Sequence, residues 1–176
     1  MGFLYLDVAT YLWPTVALME GQSTYPTTPT RWSKSVVRPP WATELRIKQS
    51  CTSCDRCVQA CPENILMRGP GNTPIVDFSK GECTFCEACA EACPEPVFVE
   101  VDQPAWNLTA HLSTACLLTR GISCQICTDF CDTDALTFDL SVRPVGQIIV
   151  DAAACTGCGA CVASCPQAAI TVTAHV

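Results

Sequence analysis

Apolar positions along this chain come in short bursts, each cut off by polar or turn-forming residues. The first, residues 8–19, is 12 residues long and contains Pro14. It falls short of the ~20 apolar residues that span a bilayer, so no integral membrane segment is expected. It reads as a packing helix broken at the proline, or as an extension. Residues 22–30 (QSTYPTTPT) follow neither a helix nor a strand period and read as a linker. Further on the bursts come in pairs. Residues 64–67 and 74–77 flank a Gly/Pro turn at residues 69–71, and residues 135–138 and 147–151 flank a turn near Pro144. Both pairs read as short β-hairpins, and in both the second run ends Val-Asp.

Each Val-Asp leads into a loop of cysteines. Three runs share the pattern C-x2-C-x2-C-x3-C-P: Cys51, Cys54, Cys57 and Cys61; Cys83, Cys86, Cys89 and Cys93; and Cys155, Cys158, Cys161 and Cys165. A looser copy, Cys116, Cys124, Cys127 and Cys131, has seven residues in its first gap and Asp132 in place of the proline. The four sets use all 16 cysteines.

Cysteines at i, i+3 and i+6 sit on one tight loop, so their thiolates converge on one object. A cubane of four irons and four sulfides offers each thiolate an iron. The regular run is that of bacterial ferredoxins, in which the fourth cysteine ligates the neighbouring cluster. The reading is three to four [4Fe-4S] clusters, with all sixteen cysteines as metal ligands. A disulfide scaffold would suit the cysteine content but needs an oxidising compartment. Zinc sites pair two C-x2-C knuckles without a third cysteine at the same step. Each C-P step predicts a short helix, over residues 62–66, 94–98 and 166–170, with proline at its first position and its positive end toward an anionic cluster. Gly157, Gly159 and Ala160 would let backbone N–H groups approach the sulfides.

A chain of 176 residues makes one small domain or two very small ones. Its apolar content is 49% with the cysteines and about 40% without them. A module of about 60 residues is marginally stable on burial alone, so the clusters are expected to staple the fold. The net charge of −7 speaks against a nucleic-acid partner. Charge reverses over residues 31–48, where Arg31, Lys34, Arg38, Arg46 and Lys48 face only Glu44; that stretch is +4 and leaves −11 elsewhere. Trp32 and Trp41 are interleaved there. The stretch reads as a solvated tail or as a basic docking arm, since Trp and Arg anchor interfaces. Glu87, Glu91, Glu95, Glu100 and Asp102 read as a solvated acidic face, and His111 and His175 as surface or packing residues. No Lys or Arg precedes the apolar run, Asp7 abuts it, and no two arginines are adjacent. Neither a secretory nor a twin-arginine signal is therefore expected, and the sequence predicts a cytoplasmic protein with reduced thiols.

The expected organisation is an extension at residues 1–30, the basic arm at 31–48 and two modules at 49–107 and 108–176. The fold class is α+β: two tandem bacterial 2[4Fe-4S] ferredoxin-like modules of short helices and hairpins. The Val-Asp lead-in is missing between Cys93 and Cys116, where residues 106–115 stand instead. This asymmetry favours pairing neighbouring sets. One cluster would take Cys51, Cys54, Cys57 and Cys93, and the next Cys83, Cys86, Cys89 and Cys61. The second module would take Cys116, Cys124, Cys127 and Cys165, then Cys155, Cys158, Cys161 and Cys131. A nested arrangement that brings Cys61 beside Cys155 is the alternative.

No nucleophile, base or phosphate loop stands out, so no enzyme is expected. The chemistry permits a one-electron wire or a cluster-bearing accessory. Residues 31–34 (RWSK), 37–41 (VRPPW), 61–69 (CPENILMRG), 82–86 (ECTFC) and 155–161 (CTGCGAC), with the looser CQIC at 124–127, resemble the NapF family. These are ferredoxin-type accessory proteins of the periplasmic nitrate reductase system, and the likeness runs from about Arg31 to the C-terminus. It implies a cytoplasmic protein that assists maturation of the catalytic subunit of that reductase before its export, by electron or cluster delivery. A general electron-transfer polyferredoxin, or the wiring subunit of an oxidoreductase, is the second reading. A zinc-binding protein is a distant third.

Overall fold

Each cysteine loop carries one short helix, and both hairpins expected from the paired apolar runs form. The computed structural model describes residues 36–174. The apolar run at 8–19, the linker, Arg31, Trp32, Lys34 and His175 lie outside the described residues. In chain order the elements are α1 (Glu44–Ser50), α2 (Arg56–Ala60), β1 (Leu66–Arg68), β2 (Pro74–Val76), α3 (Ala88–Glu91), β3 (Leu108–Leu112), α4 (Ile126–Asp129), β4 (Leu136–Asp139), β5 (Gln147–Val150), α5 (Ala160–Ala163) and β6 (Ile170–Ala174). Among the described residues, no helix is long and apolar enough to cross a membrane.

β1 pairs with β2 and β4 with β5, both antiparallel, with Leu66 opposite Val76 and Leu136 opposite Val150. The Val-Asp ending has a structural cause. The Asp77 amide donates to the Ile65 carbonyl, and the Asp151 amide to the Ala135 carbonyl, so each extends its ladder by one bond. Each aspartate side chain then turns the chain into the cysteine loop. Asp77 Oδ1 accepts from the Ser79 amide and hydroxyl, and Asp151 Oδ1 from the Ala153 and Ala154 amides.

A third pairing closes each repeat on itself. Residues 106–115, which lack the Val-Asp signal, supply β3, and β3 runs antiparallel to the C-terminal β6 with Ala110 opposite Val172. In the first half the same role falls to a single bridge between Ala42 and Phe98.

The helices stand elsewhere than expected. No helix begins at the C-P steps. The Asn64 amide donates to the Cys61 carbonyl and the Ala168 amide to the Cys165 carbonyl, so each step is a tight turn with proline second. The φ of about −65° that suits proline to a first helical position suits this turn position equally. Asn64 and Ala168, which close these turns, have φ of 54° and 46° and cannot continue into a helix. At Cys131 the Asp134 amide makes the same turn without proline. After Cys93 the chain instead runs through residues 94–98 to the Phe98 bridge. The real helices, α2 to α5, lie one step earlier and each carries the third cysteine of its set inward: Cys57, Cys89, Cys127 and Cys161 are all buried.

Among the described residues two apolar clusters form the core. One gathers Ile65, Leu66, Val76 and Phe78 around Cys57 and Cys89, together with Val172 of β6. The other gathers Ala110, Ala135, Leu136 and Ile170 around Cys127 and Cys161.

The basic stretch is not a free arm over its described part. Arg38 donates to the Thr73 hydroxyl at 2.8 Å, to the Pro74 carbonyl at 3.1 Å and to Glu44 at 2.6 Å. It thereby ties the lead-in to β2. Its hydrogen bond holds the Glu44 carboxyl below the usual carboxylate range; that contribution is present at neutral pH and is lost as pH falls through the lowered value. Trp41 is buried, and its indole donates to the Gln103 carbonyl. Arg46 donates to the Pro96 and Phe98 carbonyls. Expected in a solvated tail or a docking arm, Arg38, Trp41 and Arg46 each serve instead as a strap across the first half, while Lys48 stays in solvent. Replacing Arg38 with alanine leaves the Thr73 and Pro74 groups short of a donor. We expect a loss of about 1–3 kcal/mol of stability in denaturant unfolding of the iron-loaded chain.

Candidate metal centres

The three regular loops share a backbone device. The residues flanking the second cysteine adopt positive φ: Ser53 and Asp55, Phe85 and Glu87, Gly157 and Gly159. Alternating handedness turns successive N–H groups toward one side and makes a concavity suited to an anion. The looser loop differs. Gln125, which follows its second cysteine, has φ −139°, and the long gap after Cys116 is taken up by a 3-10 turn at Leu117–Arg120 ended by Gly121 at φ 75°. The sequence marked only the glycine pair for this role. At the other two loops Ser, Asp, Phe and Glu carry no such mark.

All sixteen cysteines line cavities, four to each. Cys51, Cys54, Cys57 and Cys93 surround about 390 Å³ of space, open at its mouth. Cys61, Cys83, Cys86 and Cys89 surround about 350 Å³, with Trp41, Ile65 and Leu66 among the walls. Cys116, Cys124, Cys127 and Cys165 surround about 370 Å³, walled by Leu112, Ile126, Ile148 and Ile170. Cys131, Cys155, Cys158 and Cys161 surround about 290 Å³, beside Ala110, Leu136 and Val172. Each cavity takes three thiols from one loop and the fourth from the loop it is paired with. Neighbouring sets are therefore the pairs, and Cys61 faces Cys83 rather than Cys155. The looser set closes like the others, because its extra residues bulge into the 3-10 turn and leave Cys116 at the cavity. Among the described residues no three such side chains close on a single-ion position; the thiols stand around wider spaces.

Burial, and then the neighbouring thiols, push the innermost sulfurs up: Cys57 and Cys127 to about 11, Cys89 and Cys161 to about 12. Burial pushes Cys83 to about 11 as well. Left to themselves these thiols stay protonated at neutral pH. A cationic core that draws four thiolates together supplies the missing counter-charge and releases the protons. Four thiols around one apolar-walled cavity, repeated four times, thus fit the donor set of a [4Fe-4S] cluster. Influence also crosses between cavities: Cys57 acts on Cys89, Cys158 on Cys83, and Cys127 on Cys161. His111 is exposed on β3; of the acidic residues Glu87, Glu91, Glu95, Glu100 and Asp102, only Glu87 and Glu95 line a cavity, beside Asp55 and Glu63.

Four-thiol cavities in two interlocked pairs, held by short hairpins, define an iron–sulfur protein of the ferredoxin type. Residues 50–97 and 121–173 accordingly match the 4Fe-4S dicluster domain family. The chain is 46% identical over 137 residues to the ferredoxin-type protein NapF of Haemophilus influenzae, covering 77% of this chain and 78% of the relative. It is 43% identical over 144 residues to the Escherichia coli K12 protein of the same name, covering 80% and 88%. A methylamine utilization ferredoxin-type protein, MauM of Methylophilus methylotrophus, is 33% identical over 172 residues, covering 86% and 75%. The chain belongs to the NapF family of ferredoxin-type iron–sulfur proteins.

Proposed function

We propose that the sixteen cysteines hold four [4Fe-4S] clusters in two tandem ferredoxin modules, residues 49–107 and 108–176. We further propose that the protein serves, in the cytoplasm, the catalytic subunit of the periplasmic nitrate reductase before its export. The observation that carries the first part is that every cysteine lines a four-thiol cavity with none spare. The second part rests on the NapF name of the relatives. Bound clusters would each accept or give up one electron.

The chain's own residues do the rest. Cys51, Cys54, Cys57 and Cys93, and likewise the four cysteines of each other cavity, would hold a cluster at four points. The left-handed residues around Cys54, Cys86 and Cys158 aim backbone N–H groups at it. The apolar walls keep water from the inner sulfurs, whereas Cys54 and Cys86 stay exposed and give a partner close approach. Delivery of electrons, rather than any reaction of the chain's own side chains, is the activity this supports; the chain is a carrier and no enzyme.

Iron and acid-labile sulfide in anaerobically purified protein should both come to about 16 per chain. Replacing Cys116 and Cys124 with serine should lower iron to about 12; an unchanged iron count would remove the looser set from the ligands. For the partner, the tagged protein is expected to capture the catalytic subunit while that subunit retains its export signal. If nitrate-dependent quinol oxidation needs the protein yet no capture is ever seen, a general electron carrier is the better description. A ferredoxin-type relative named for methylamine utilization rather than nitrate reduction is what keeps that second reading in view.

A further inference from the structure

The two modules meet at one seam, and the seam joins two cysteine loops. The Cys83 amide donates to the Cys158 carbonyl at 2.8 Å. Cys83 opens the second loop and Cys158 stands at the centre of the last, 75 residues away in sequence. A second bond lies beside it: the Trp106 indole donates to the Thr156 carbonyl at 2.7 Å. Trp106 packs edge-on against Phe78 at 5.9 Å and against Phe85, the residue before Cys86, at 5.7 Å. A Cβ on buried Gly157 would stand 2.9 Å from both the Trp106 indole nitrogen and the Leu108 carbonyl oxygen, and one on Gly159 would overlap the Phe78 ring. Val172 of β6 completes the seal by packing in the first core cluster. The last cysteine loop is thus pressed, backbone first, against the wall of the second.

We propose that this contact is the electronic junction between the modules, with the Cys83 amide and the Cys158 carbonyl as its through-bond route. Trp106 is the positioning residue that holds the two loops together and screens them from water. The four sites then stand in single file: the Cys51 set, the Cys83 set, the Cys155 set, the Cys116 set. An electron that crosses the junction oxidises one inner site by one electron and reduces the other by one. No bond is made or broken and no proton moves; an external one-electron donor supplies the charge. The inference rests on the four-cluster reading above. It adds an order, and it makes the Cys51 and Cys116 sets the two outer ends.

The test uses full-length protein in which Cys51, Cys54, Cys116 and Cys124 are all serine, reduced with dithionite and observed by low-temperature electron paramagnetic resonance. About 8 irons should remain, and the spectrum should show the splitting and rapid relaxation of two interacting centres. Adding Trp106→Ala should abolish the splitting with iron unchanged. With iron retained, two independent, unsplit signals in the parent quadruple variant would overturn the junction. Should the quadruple variant lose all iron, iron-edge anomalous diffraction from the intact chain decides instead. The nearest four-iron centres across the modules must be those at Cys83 and Cys155, and any other nearest pair refutes the order. An intact chain without iron would sink the cluster assignment itself, which is a separate failure.

Discussion

Stripping the iron from the intact chain with a chelator, under anaerobic conditions, is expected to abolish its folded structure. Far-ultraviolet circular dichroism should fall to that of an unfolded chain. The helices α2 to α5 are four or five residues long, and isolated helices shorter than about 12 residues are marginal in water. Among the described residues the three sheets have two strands each, and a lone two-stranded hairpin is no more secure. The cores lean on sulfur: Cys57 and Cys89 sit in one cluster, Cys127 and Cys161 in the other. Without a counter-charge each cavity becomes a void ringed by four thiols, in a domain whose stability is on the order of 5–15 kcal/mol at best. An iron-free chain with unchanged dichroism and a cooperative melt would show that the apolar contacts suffice alone.

Replacing Gly159 with alanine should produce the largest loss for a single methyl group. Gly159 caps α5 at φ 85°, a left-handed conformation that costs a side-chain-bearing residue about 1–2 kcal/mol. The added carbon would also fall on the Phe78 ring, which is itself buried, and overpacking of this kind costs about 1–3 kcal/mol. The sum, about 2–5 kcal/mol, should appear in denaturant unfolding of the iron-loaded protein. Gly121 provides the control. Its φ is 75°, but nothing lies within 4 Å of an added carbon, so Gly121→Ala should cost only the conformational part. Pairing Gly159→Ala with Phe78→Leu should recover most of the steric part; a strictly additive double variant would show that the clash plays no role.

Some of this could be read from residues and some could not. The sets of four were legible because the thiols have fixed spacings; neighbour pairing was favoured over the nested alternative only by the Val-Asp lead-in missing between Cys93 and Cys116, and the cavity linings agree with it. The hairpins themselves were legible in the paired apolar runs. The helices were misplaced, because proline's restricted φ serves a turn and a helix start equally well, and only the left-handed residue that follows tells them apart. That residue is Asn64 in one turn and Ala168 in another, which have no side-chain property in common. Arg38, Trp41 and Arg46 were read as part of a solvated tail or docking arm because charge and aromatic content say nothing of the carbonyl groups waiting 36 to 62 residues away. The seam at Cys83 and Cys158 left no pattern at all. It joins positions far apart in the chain through backbone atoms that every residue has.

The exchange of fourth cysteines between paired loops bears on how the protein is made. Cys51 must wait for Cys93, and Cys116 for Cys165, before either finds its last neighbour. A nascent chain leaving the ribosome therefore offers no finished nest until its second cysteine loop has emerged. On the four-cluster reading, the inner site of each half would be complete at Cys89 or Cys161 and the outer one only at Cys93 or Cys165, so a synthesis error late in a module would forfeit the site that its first cysteines began.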